Sequence, residues 1–449
     1  MPGATGTQRW IAAGIALSVI YLYNLAGFGI FGADEPRYAA IGREMAFSGD
    51  FITPRLWGEP WFEKPALLYW MIAAGFRLGL GPETAPRVPV ALAAIAFLIA
   101  FHRSLTRIFD AAAARAAATI LATSAGWVAY GNVAVTDLPM SAAYTLAMLW
   151  GFEGRFLAAA VMLAVAVLGK TLVPLALLPP LAWFIWRRWR ELLPAAAVFA
   201  AIAAPWYIAC YARNGWPFIA ELIVKQHFQR LYSPAIQHVQ PAWFYAPVLA
   251  GLLFPWTFLA GRLDAADRRI RFFAAWAAWG LLLFSISLNK LPGYLLPILP
   301  ACAVLLARTR ITKLSAALTG LLLGCIPLAF RVLPAALASG ITRASFTFTP
   351  TDAAGCAAAI IGCIVLRRHL IEIVGATMLA GILYAKIAIA PAIDATTARP
   401  RLGLETCQSL AAHRSLIYGI NYYTHKALPL CPEPAEPAGE PNTPVVTRD

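Results

Sequence analysis

The segment Trp10–Ala39, "WIAAGIALSVIYLYNLAGFGIFGADEPRYA", joins a long apolar run to a dense group of charges. Residues 10–31 carry no charged side chain and are long enough to cross ~30 Å of hydrocarbon as a helix. No cleavage site of small residues is evident after this run, so we predict a retained first membrane span. The span places Asp34, Glu35 and Arg37 directly at a membrane surface.

The composition of the whole chain has the same character. Of 449 residues, 60% are hydrophobic and 13% are charged, and the mean hydropathy is +0.67. These values exclude a soluble globular protein and indicate an integral membrane protein. The formal net charge is +14, but the basic residues lie in short clusters between apolar runs, which suits lipid headgroups better than nucleic acid. We therefore predict membrane lipids as partners and no nucleic acid.

The apolar runs predict an all-α protein with about thirteen transmembrane helices. Several of the runs are shorter than the ~20 residues that a perpendicular span needs, and these are the least secure. The predicted spans are 10–31, 87–102, 114–131, 138–151, 156–169, 171–186, 192–211, 243–261, 272–288, 291–307, 314–333, 353–366 and 370–391.

The distribution of charge between alternate loops predicts the orientation of the chain. One set of loops, together with the N-terminal segment, holds seventeen basic and five acidic residues. Because cytoplasmic loops carry the Lys and Arg excess, we place the N-terminus in the cytoplasm and the C-terminus outside. The protein is expected in the cytoplasmic (inner) membrane.

Two long loops, 32–86 and 212–242, then face outward and are expected to form the active site. The first contains seven acidic and five basic residues, interleaved with aromatic residues. This mixture is typical of amphipathic helices lying at the membrane surface. A solvated loop with an aromatic anchor has the same composition, and the sequence does not separate the two.

The sequence divides into a membrane domain, residues 1–391, and a short periplasmic tail, residues 392–449. The end of the tail, from about Cys431, is rich in Pro, Glu and Thr and is predicted to be disordered. Cys407 and Cys431 lie in this exported tail and either pair as a disulfide or stay as free thiols. No C-x-x-C or P-loop motif occurs in the sequence.

Four segments together carry a resemblance to a known family. They are "GADEPRYA" (32–39), "WFEKPALLYW" (61–70), "KQHFQRLYSPAIQHVQPAWFYAPVLAGLLFPW" (225–256) and "NKLPGYLLPILP" (289–300). Their order and spacing resemble the polytopic GT-C glycosyltransferases, most closely the lipid A 4-amino-4-deoxy-L-arabinose transferases and protein O-mannosyltransferase-like relatives. The resemblance extends over most of residues 10–300.

The resemblance implies a GT-C fold and a transferase that uses a lipid-phosphate sugar. We expect a sugar to move, with inversion, from a polyprenyl (undecaprenyl) phosphate to an envelope acceptor. Lipid A, another glycolipid and a protein all remain open as acceptors. The soluble C-terminal domain common in these relatives is cut down here to roughly 392–449, although "SLIYGINYYTHKALPL" (415–430) resembles its start.

The resemblance also implies a set of donor-binding residues. The donor phosphate gains charge as the glycosidic bond breaks, so cations from several loops would stabilise it. We expect the phosphate and sugar to contact Arg37, Tyr38, Trp61, Lys64, Arg230, Lys290 and Tyr294.

Two acids are the candidate catalytic residues. Asp34 matches the family acid that takes a proton from the acceptor or stabilises the developing positive sugar carbon. Asp137, in "VTDLPM", matches a second acid of the same cavity, and it also suits the first turn of a helix. Glu35 is expected to cap the helix or to pair with Arg37, and Lys170 either faces the site or extends to the membrane surface.

A divalent metal, Zn or Mg/Mn, is a further implication, because Glu63 and His227 match positions that hold one in some relatives. The family commonly has an acid before this histidine, whereas this chain has Gln226. Two ligands alone make a poor metal site. The alternative is that Glu63 pairs with Lys64 or Arg37 and that His227 forms hydrogen bonds within its loop.

A lipid-linked sugar transporter or flippase is the rival class of function. Such a protein should show internal repeats with paired polar sites in its two halves. The acid-rich motifs of this chain occur once only. The sequence therefore favours the transferase.

Overall fold

The computed structural model describes residues 6–229, 239–259, 261, 263–339, 345–403 and 414–429. Arg230, Cys407 and Cys431 lie outside the described residues. Their predicted roles, in phosphate binding and in a disulfide, stay predictions.

The described chain is almost entirely helical, as predicted. Its α-helices are α1 Gly6–Tyr21, α2 Asp34–Ser48, α3 Leu67–Arg77, α4 Thr84–Ile108, α5 Ala111–Thr123, α6 Ala125–Gly131, α7 Asp137–Phe152, α8 Phe156–Lys170, α9 Val173–Ala176, α10 Pro179–Ile185, α11 Trp189–Asn214, α12 Trp216–Ile219, α13 Tyr245–Leu252, α14 Arg268–Ile286, α15 Leu299–Ala307, α16 Lys313–Gly324, α17 Ile326–Ser339, α18 Pro350–Val365, α19 Leu370–Tyr384, α20 Ala390–Asp394 and α21 Arg414–Thr424. A π-helix follows α12 at Ala220–Gln229, and a 3-10 helix, Pro292–Ile298, precedes α15.

Every predicted span overlaps a helix, but fewer helical segments meet a strict spanning criterion. Within the described residues, four are long and apolar enough by length and composition: 84–108, 179–214, 268–286 and 367–401. The pair α16 and α17, bent by 50°, would make a fifth. The other predicted spans correspond to shorter or broken apolar helices. The all-α membrane class is therefore supported by the structure, and the count of thirteen stays a prediction.

The segment 179–214 contains a reversal of direction. The carbonyl of Phe184, near the end of α10, accepts a hydrogen bond from Arg268 at the start of α14. The far end of α11 reaches the first long loop, where Asn214 Nδ2 donates to Thr53 Oγ1 over 3.0 Å. The chain thus runs toward one end of the bundle along α10 and returns along α11, in agreement with the two spans predicted there.

The first span is shorter than predicted, because α1 ends at Tyr21 rather than at residue 31. Arg87 of α4 donates hydrogen bonds of 2.7–2.8 Å to the carbonyls of Leu25, Phe28 and Gly29. A carbonyl that accepts from a guanidinium in this way does not need a helical partner. The buried arginine therefore holds the chain after α1 in an irregular conformation.

The first long loop, residues 32–86, is an ordered unit rather than a solvated loop. It contains α2, a two-residue antiparallel hairpin of β1 (Arg55–Leu56) and β2 (Glu59–Pro60), and α3. The hairpin is a small correction to the all-α prediction. Helix α2 packs on α3 so closely that a Cβ at Gly42 would clash with the side chain of Ile72. The loop thus belongs to the packed body of the protein.

The beginning of the tail is anchored on this loop. Helix α21 packs on α2, and Arg43 Nη1 donates to the carbonyl of Tyr422 over 2.8 Å. The Tyr422 hydroxyl donates to the carbonyl of Pro82 over 2.6 Å, and the Tyr423 hydroxyl donates to Glu83 Oε1 over 2.9 Å. Residues 414–424 are therefore structurally part of the same end of the bundle as the loop 32–86.

Candidate active site

Helix α2 begins with two adjacent acids, and the second is fully enclosed. The Glu35 side chain is 1% exposed, and it forms a two-point ion pair with the buried Arg87, with both N–O distances 2.8 Å. Its oxygens also accept from the backbone N–H groups of Phe31 (2.7 Å) and Ala134 (2.8 Å). The prediction that Glu35 pairs with Arg37 is wrong, because the buried partner is Arg87. Glu35 links the start of α2 to α4 and to the segment before α7.

Asp34, the first residue of α2, faces the other way. Its side chain is 49% exposed, and Oδ1 accepts a hydrogen bond from Arg37 Nη2, one helical turn later. Arg37 Nε also donates to the carbonyl of Ala33 over 3.0 Å. The Asp34 carboxylate is thus held in place by one cation while half of its surface stays open to a ligand.

Arg37 connects Asp34 to the second motif through Glu63. The Arg37 Nη1 to Glu63 Oε2 distance is 2.7 Å, and Lys64 Nζ lies 2.9 Å from Glu63 Oε1. We call Asp34, Arg37, Glu63 and Lys64 the outer charge cluster. Burial opposes the charge on Arg37, but the carboxylates of Glu63 and Asp34 outweigh it and raise the pKa of the guanidinium. Arg37 is therefore a permanent cation of the site.

Aromatic rings surround the Arg37 guanidinium. Its carbon lies 5.9 Å from the ring centroid of Tyr38, 5.8 Å from that of Trp61 and 5.1 Å from that of Tyr418. The Tyr418 ring also stacks on Trp57, with centroids 5.9 Å apart and planes at 17°. Tyr38 and Trp61 were predicted for the site, whereas Tyr418 of α21 was missed. The resemblance of 415–430 to the start of a further domain was its only signal in the sequence.

A second ion pair lies where α7 begins and α8 ends. Lys170 Nζ is 2.6 Å from Asp137 Oδ1 and 4.7 Å from the ring centroid of Tyr294. A Cβ at Gly293 would lie 2.8 Å from Asp137 Oδ1 and 2.7 Å from the hydroxyl oxygen of Tyr130. Glycine at 293 is thus required for this close approach. Lys170 thus contacts both Asp137 and Tyr294, whose roles in catalysis and donor binding stay predictions.

One cavity of about 260 Å³ brings residues of the two groups together. Lys64 and Glu63 contribute from the outer charge cluster, and Lys170 and Tyr294 contribute from the second ion pair. The remaining lining is mainly apolar and includes Met140, Leu172, Val173, Leu283 and Phe284. The cavity therefore combines two ammonium groups with a hydrocarbon wall.

Lys290 is placed differently from the prediction. It is 4% exposed, and its ammonium donates to the carbonyl of Ser287 and, over 3.0 Å, to that of Gln240. It does not line the cavity that contains Lys64 and Lys170. Lys290 thus links the segment that contains Gln240 to the end of α14. This position gives no support to a contact with phosphate.

The residues predicted for a metal do not form a coordination site in this arrangement. Both nitrogens of His227 are engaged: Nδ1 lies 3.0 Å from the carbonyl oxygen of Leu222, and Nε2 accepts from the backbone N–H of Leu172 over 3.3 Å. The Glu63 carboxylate is held by Arg37 and Lys64. Within the described part of the chain, no three His, Cys, Asp or Glu side chains lie together as metal ligands. Glu63 and His227 therefore give no support to the predicted metal.

Comparison with known proteins agrees with this geometry. A family model described as dolichyl-phosphate-mannose-protein mannosyltransferase matches residues 63–209. A crystal structure of ArnT from Cupriavidus metallidurans bound to undecaprenyl phosphate superposes with a TM-score of 0.74, at 23% identity, over 96% of this chain and 87% of that chain.

Two curated relatives are both named undecaprenyl phosphate-alpha-4-amino-4-deoxy-L-arabinose arabinosyl transferase. The protein from Pseudomonas paraeruginosa is 33% identical over an alignment of 347 residues, which covers 68% of this chain and 60% of the relative. The protein from Pseudomonas aeruginosa strain UCBPP-PA14 is 34% identical over 341 residues, with the same coverage.

The chain has the GT-C fold and is ArnT-like. The predicted resemblance is therefore confirmed. This chain spans about 60% of the length of each of these curated relatives. The match to the family model begins at Glu63 and includes Lys64, Asp137 and Lys170, so it covers the cavity residues that come from the first outer loop, α7 and α8.

Proposed function

We propose that this ArnT-like chain transfers a sugar from undecaprenyl phosphate to lipid A or a related envelope lipid. The cavity of about 260 Å³ is the observation that carries the proposal. An isoprenoid phosphate needs cations for its headgroup and an apolar surface for its chain, and this cavity offers Lys64 and Lys170 beside a mainly hydrocarbon lining. The names of the curated relatives and the ligand of the ArnT crystal structure point to the same donor class.

The two lysines are the proposed phosphate contacts. Charge-assisted bonds from ammonium groups to phosphate oxygens are short and strong, and they gain strength as the phosphate develops charge during bond cleavage. Lys64 is oriented by Glu63, and Lys170 is oriented by Asp137. Each lysine thus has a carboxylate that holds it at the cavity without a ligand. Arg37 completes the positive field and keeps Glu63 in place.

Asp34 is the proposed catalytic carboxylate. The acceptor oxygen attacks the anomeric carbon, the bond from that carbon to the phosphate oxygen breaks, and undecaprenyl phosphate leaves. If the acceptor is a hydroxyl, its proton passes to Asp34; an ionised phosphate acceptor has no such proton to lose. A single displacement of this kind inverts the anomeric configuration. The half-exposed Asp34 carboxylate, fixed by Arg37, has the freedom of access that this role requires.

Asp137 has a positioning role in this scheme. Its carboxylate holds Lys170 Nζ at 2.6 Å, and Lys170 in turn lies over the ring of Tyr294. Tyr38 and Trp61 are the proposed aromatic walls for the donor sugar, since both rings lie beside the Arg37 guanidinium.

The proposed orientation places the N-terminus in the cytoplasm, with the active site and the C-terminus in the periplasm. Cysteine accessibility tests it in a Cys-free background in intact cells. A cysteine replacing the exposed Glu59 in the hairpin should react with an impermeant thiol reagent. One replacing the exposed Ala265, in the basic loop before α14, should react only after the membrane is opened. The reverse pattern would overturn the orientation.

Reconstitution tests the reaction itself. The purified chain in liposomes, supplied with undecaprenyl phosphate-4-amino-4-deoxy-L-arabinose and lipid A, should yield lipid A heavier by one sugar residue in mass spectrometry. Lys64→Ala protein is the negative control. Transfer to a Ser/Thr-rich peptide but not to lipid A would instead identify a protein glycosyltransferase, the activity described for the matching family model. Movement of the donor across the bilayer without product would identify a flippase.

A further inference from the structure

A second cavity, a groove of about 790 Å³, lies between α10 and α14. Its arginine end is at the end of the bundle opposite the proposed active site, and its far end, at Leu282, adjoins the cavity lined by Leu283. Helix α10 contributes Trp183 and Phe184 to its lining. Helix α14 contributes Arg268, Arg271, Ala275, Ala278, Trp279 and Leu282. The spacing of these residues puts them on one face of α14. The face begins with arginines and continues as an apolar stripe.

The two arginines have no carboxylate partner among the described residues. Arg268 Nη2 donates to the carbonyl of Phe184 over 2.9 Å, and its guanidinium lies 5.2 Å and 5.5 Å from the ring centroids of Phe152 and Phe184. These contacts fix its position and leave its charge uncompensated. Arg271, one turn further along α14, is exposed and makes no ion pair within the described chain. The mouth of the groove is therefore a fixed positive site.

The apolar part of the groove is the right length for a lipid chain. Arg271 and Leu282 are eleven positions apart on α14, which corresponds to a rise of about 16 Å. Half of the hydrocarbon core of a bilayer is about 15 Å thick. Trp183 is 78% exposed and Leu282 is 53% exposed, so the stripe is open along its length. A lipid with its phosphate at the arginines would bring an acyl chain down to the middle of the membrane.

We propose that this groove binds an anionic phospholipid of the cytoplasmic leaflet. Its phosphate lies between Arg268 and Arg271, and one acyl chain packs against Trp183, Ala278 and Leu282. Basic pockets between transmembrane helices on the cytoplasmic side are typical sites for cardiolipin and other anionic headgroups. The occupant differs from the proposed donor, because the arginines proposed to hold its phosphate are at the opposite end of the bundle from Lys64 and Lys170. The lipid site rests on the proposed orientation of the chain but not on the proposed transferase activity.

Native mass spectrometry of the detergent-purified full chain tests the site. The probes are cardiolipin and phosphatidylcholine with matched oleoyl chains, each titrated separately. The wild-type chain should retain cardiolipin at least tenfold more tightly than phosphatidylcholine. Arg268→Gln combined with Arg271→Gln should remove this preference. Ala278→Trp, which keeps both arginines but fills the groove, should lower cardiolipin binding by a similar factor.

A matched control is available at the same end of the bundle. Arg103 and Arg115 are both exposed, and neither forms an ion pair within the described chain. Arg103→Gln combined with Arg115→Gln removes the same charge away from the groove and should leave cardiolipin binding within about twofold of wild type. An equal loss of cardiolipin binding in the two double variants would show that only the net charge matters, and it would overturn the proposed site. Equal binding of phosphatidylcholine by the wild-type chain would show an unselective lipid face and also overturn it.

Discussion

Two groups of paired charges begin at adjacent residues of the first long loop and have opposite surroundings. Glu35 and Arg87 are 1% and 0% exposed, and their polar atoms are bonded to each other and to the backbone. In the outer charge cluster, the Asp34 side chain is 49% exposed, and Lys64 lines a cavity. The comparison separates a pair that holds the fold from a cluster that is open to a ligand.

The physical difference lies in hydration. Removing one partner of a buried ion pair leaves an uncompensated charge without water, whereas a partly exposed pair keeps solvent and is worth little to stability. The Glu35–Arg87 pair should therefore control unfolding, and the outer charge cluster should control turnover. Four substitutions test this division.

Asp34→Asn should have the largest effect, and on turnover alone. A general base or a carboxylate facing the developing positive carbon contributes about 10²–10⁴-fold to the rate, so sugar transfer should fall by that factor. The thermal unfolding of the detergent-purified variant should match wild type, because the Asp34 side chain is half exposed. Retention of more than about a tenth of wild-type turnover would remove Asp34 from the reaction and direct attention to Asp137.

Glu35→Gln, at the next position, should act on stability. Breaking a buried ion pair by removing one partner costs about 3–5 kcal/mol, so the free energy of unfolding in a mild detergent should drop by that order. Arg87→Met should lower the free energy of unfolding by a similar amount. Any loss of turnover in either variant should follow the loss of folded protein. A Glu35→Gln protein of wild-type stability and low turnover would contradict the division between the two groups.

Lys64→Ala should weaken use of the donor. A charge-assisted contact is worth about 1.5–3 kcal/mol, which corresponds to about ten- to a hundredfold in kcat/KM for the donor. Lys225→Ala is the matched control, because Lys225 is a half-exposed lysine that pairs with Glu221 outside the cavity lining. The control should stay within about twofold of wild type. Equal kinetics in Lys64→Ala and wild type would exclude Lys64 from phosphate binding.

Tyr418→Ala should have the smallest effect, at the boundary between the two groups. The ring stacks on Trp57 and lies over Arg37, and an aromatic pair is worth about 0.5–1.5 kcal/mol. Turnover should fall about three- to tenfold, and a protease should cleave the tail sooner as α21 loosens from α2. Tyr418→Phe keeps the ring and should restore both readings. Unchanged turnover with faster cleavage would make the contact purely structural.

Local sequence was sufficient for much of the candidate site. Asp34 and Arg37 lie one helical turn apart, and Glu63 and Lys64 are adjacent, so their motifs already predicted which residue types meet. Asp137 and Tyr294, both named from the family resemblance, each contact Lys170, and their functional roles stay predictions. Lys290 shows the limit: its motif resembles the family, but the ammonium is taken by the carbonyls of Ser287 and Gln240. The partner that decides its role lies fifty positions away.

The sequence by itself determined the membrane class, the helical architecture and the family resemblance, because apolar run length and short motifs are local properties that survive in any arrangement of the helices. Tertiary structure alone decided that Glu35 is buried against Arg87, 52 positions away, while its neighbour Asp34 remains open. It also decided that Tyr418 covers Arg37 and that Lys170 shares a cavity with Lys64. The reason is physical: hydration and ion pairing depend on which distant segments pack around a side chain. The local sequence of two adjacent acids does not show which segments those are.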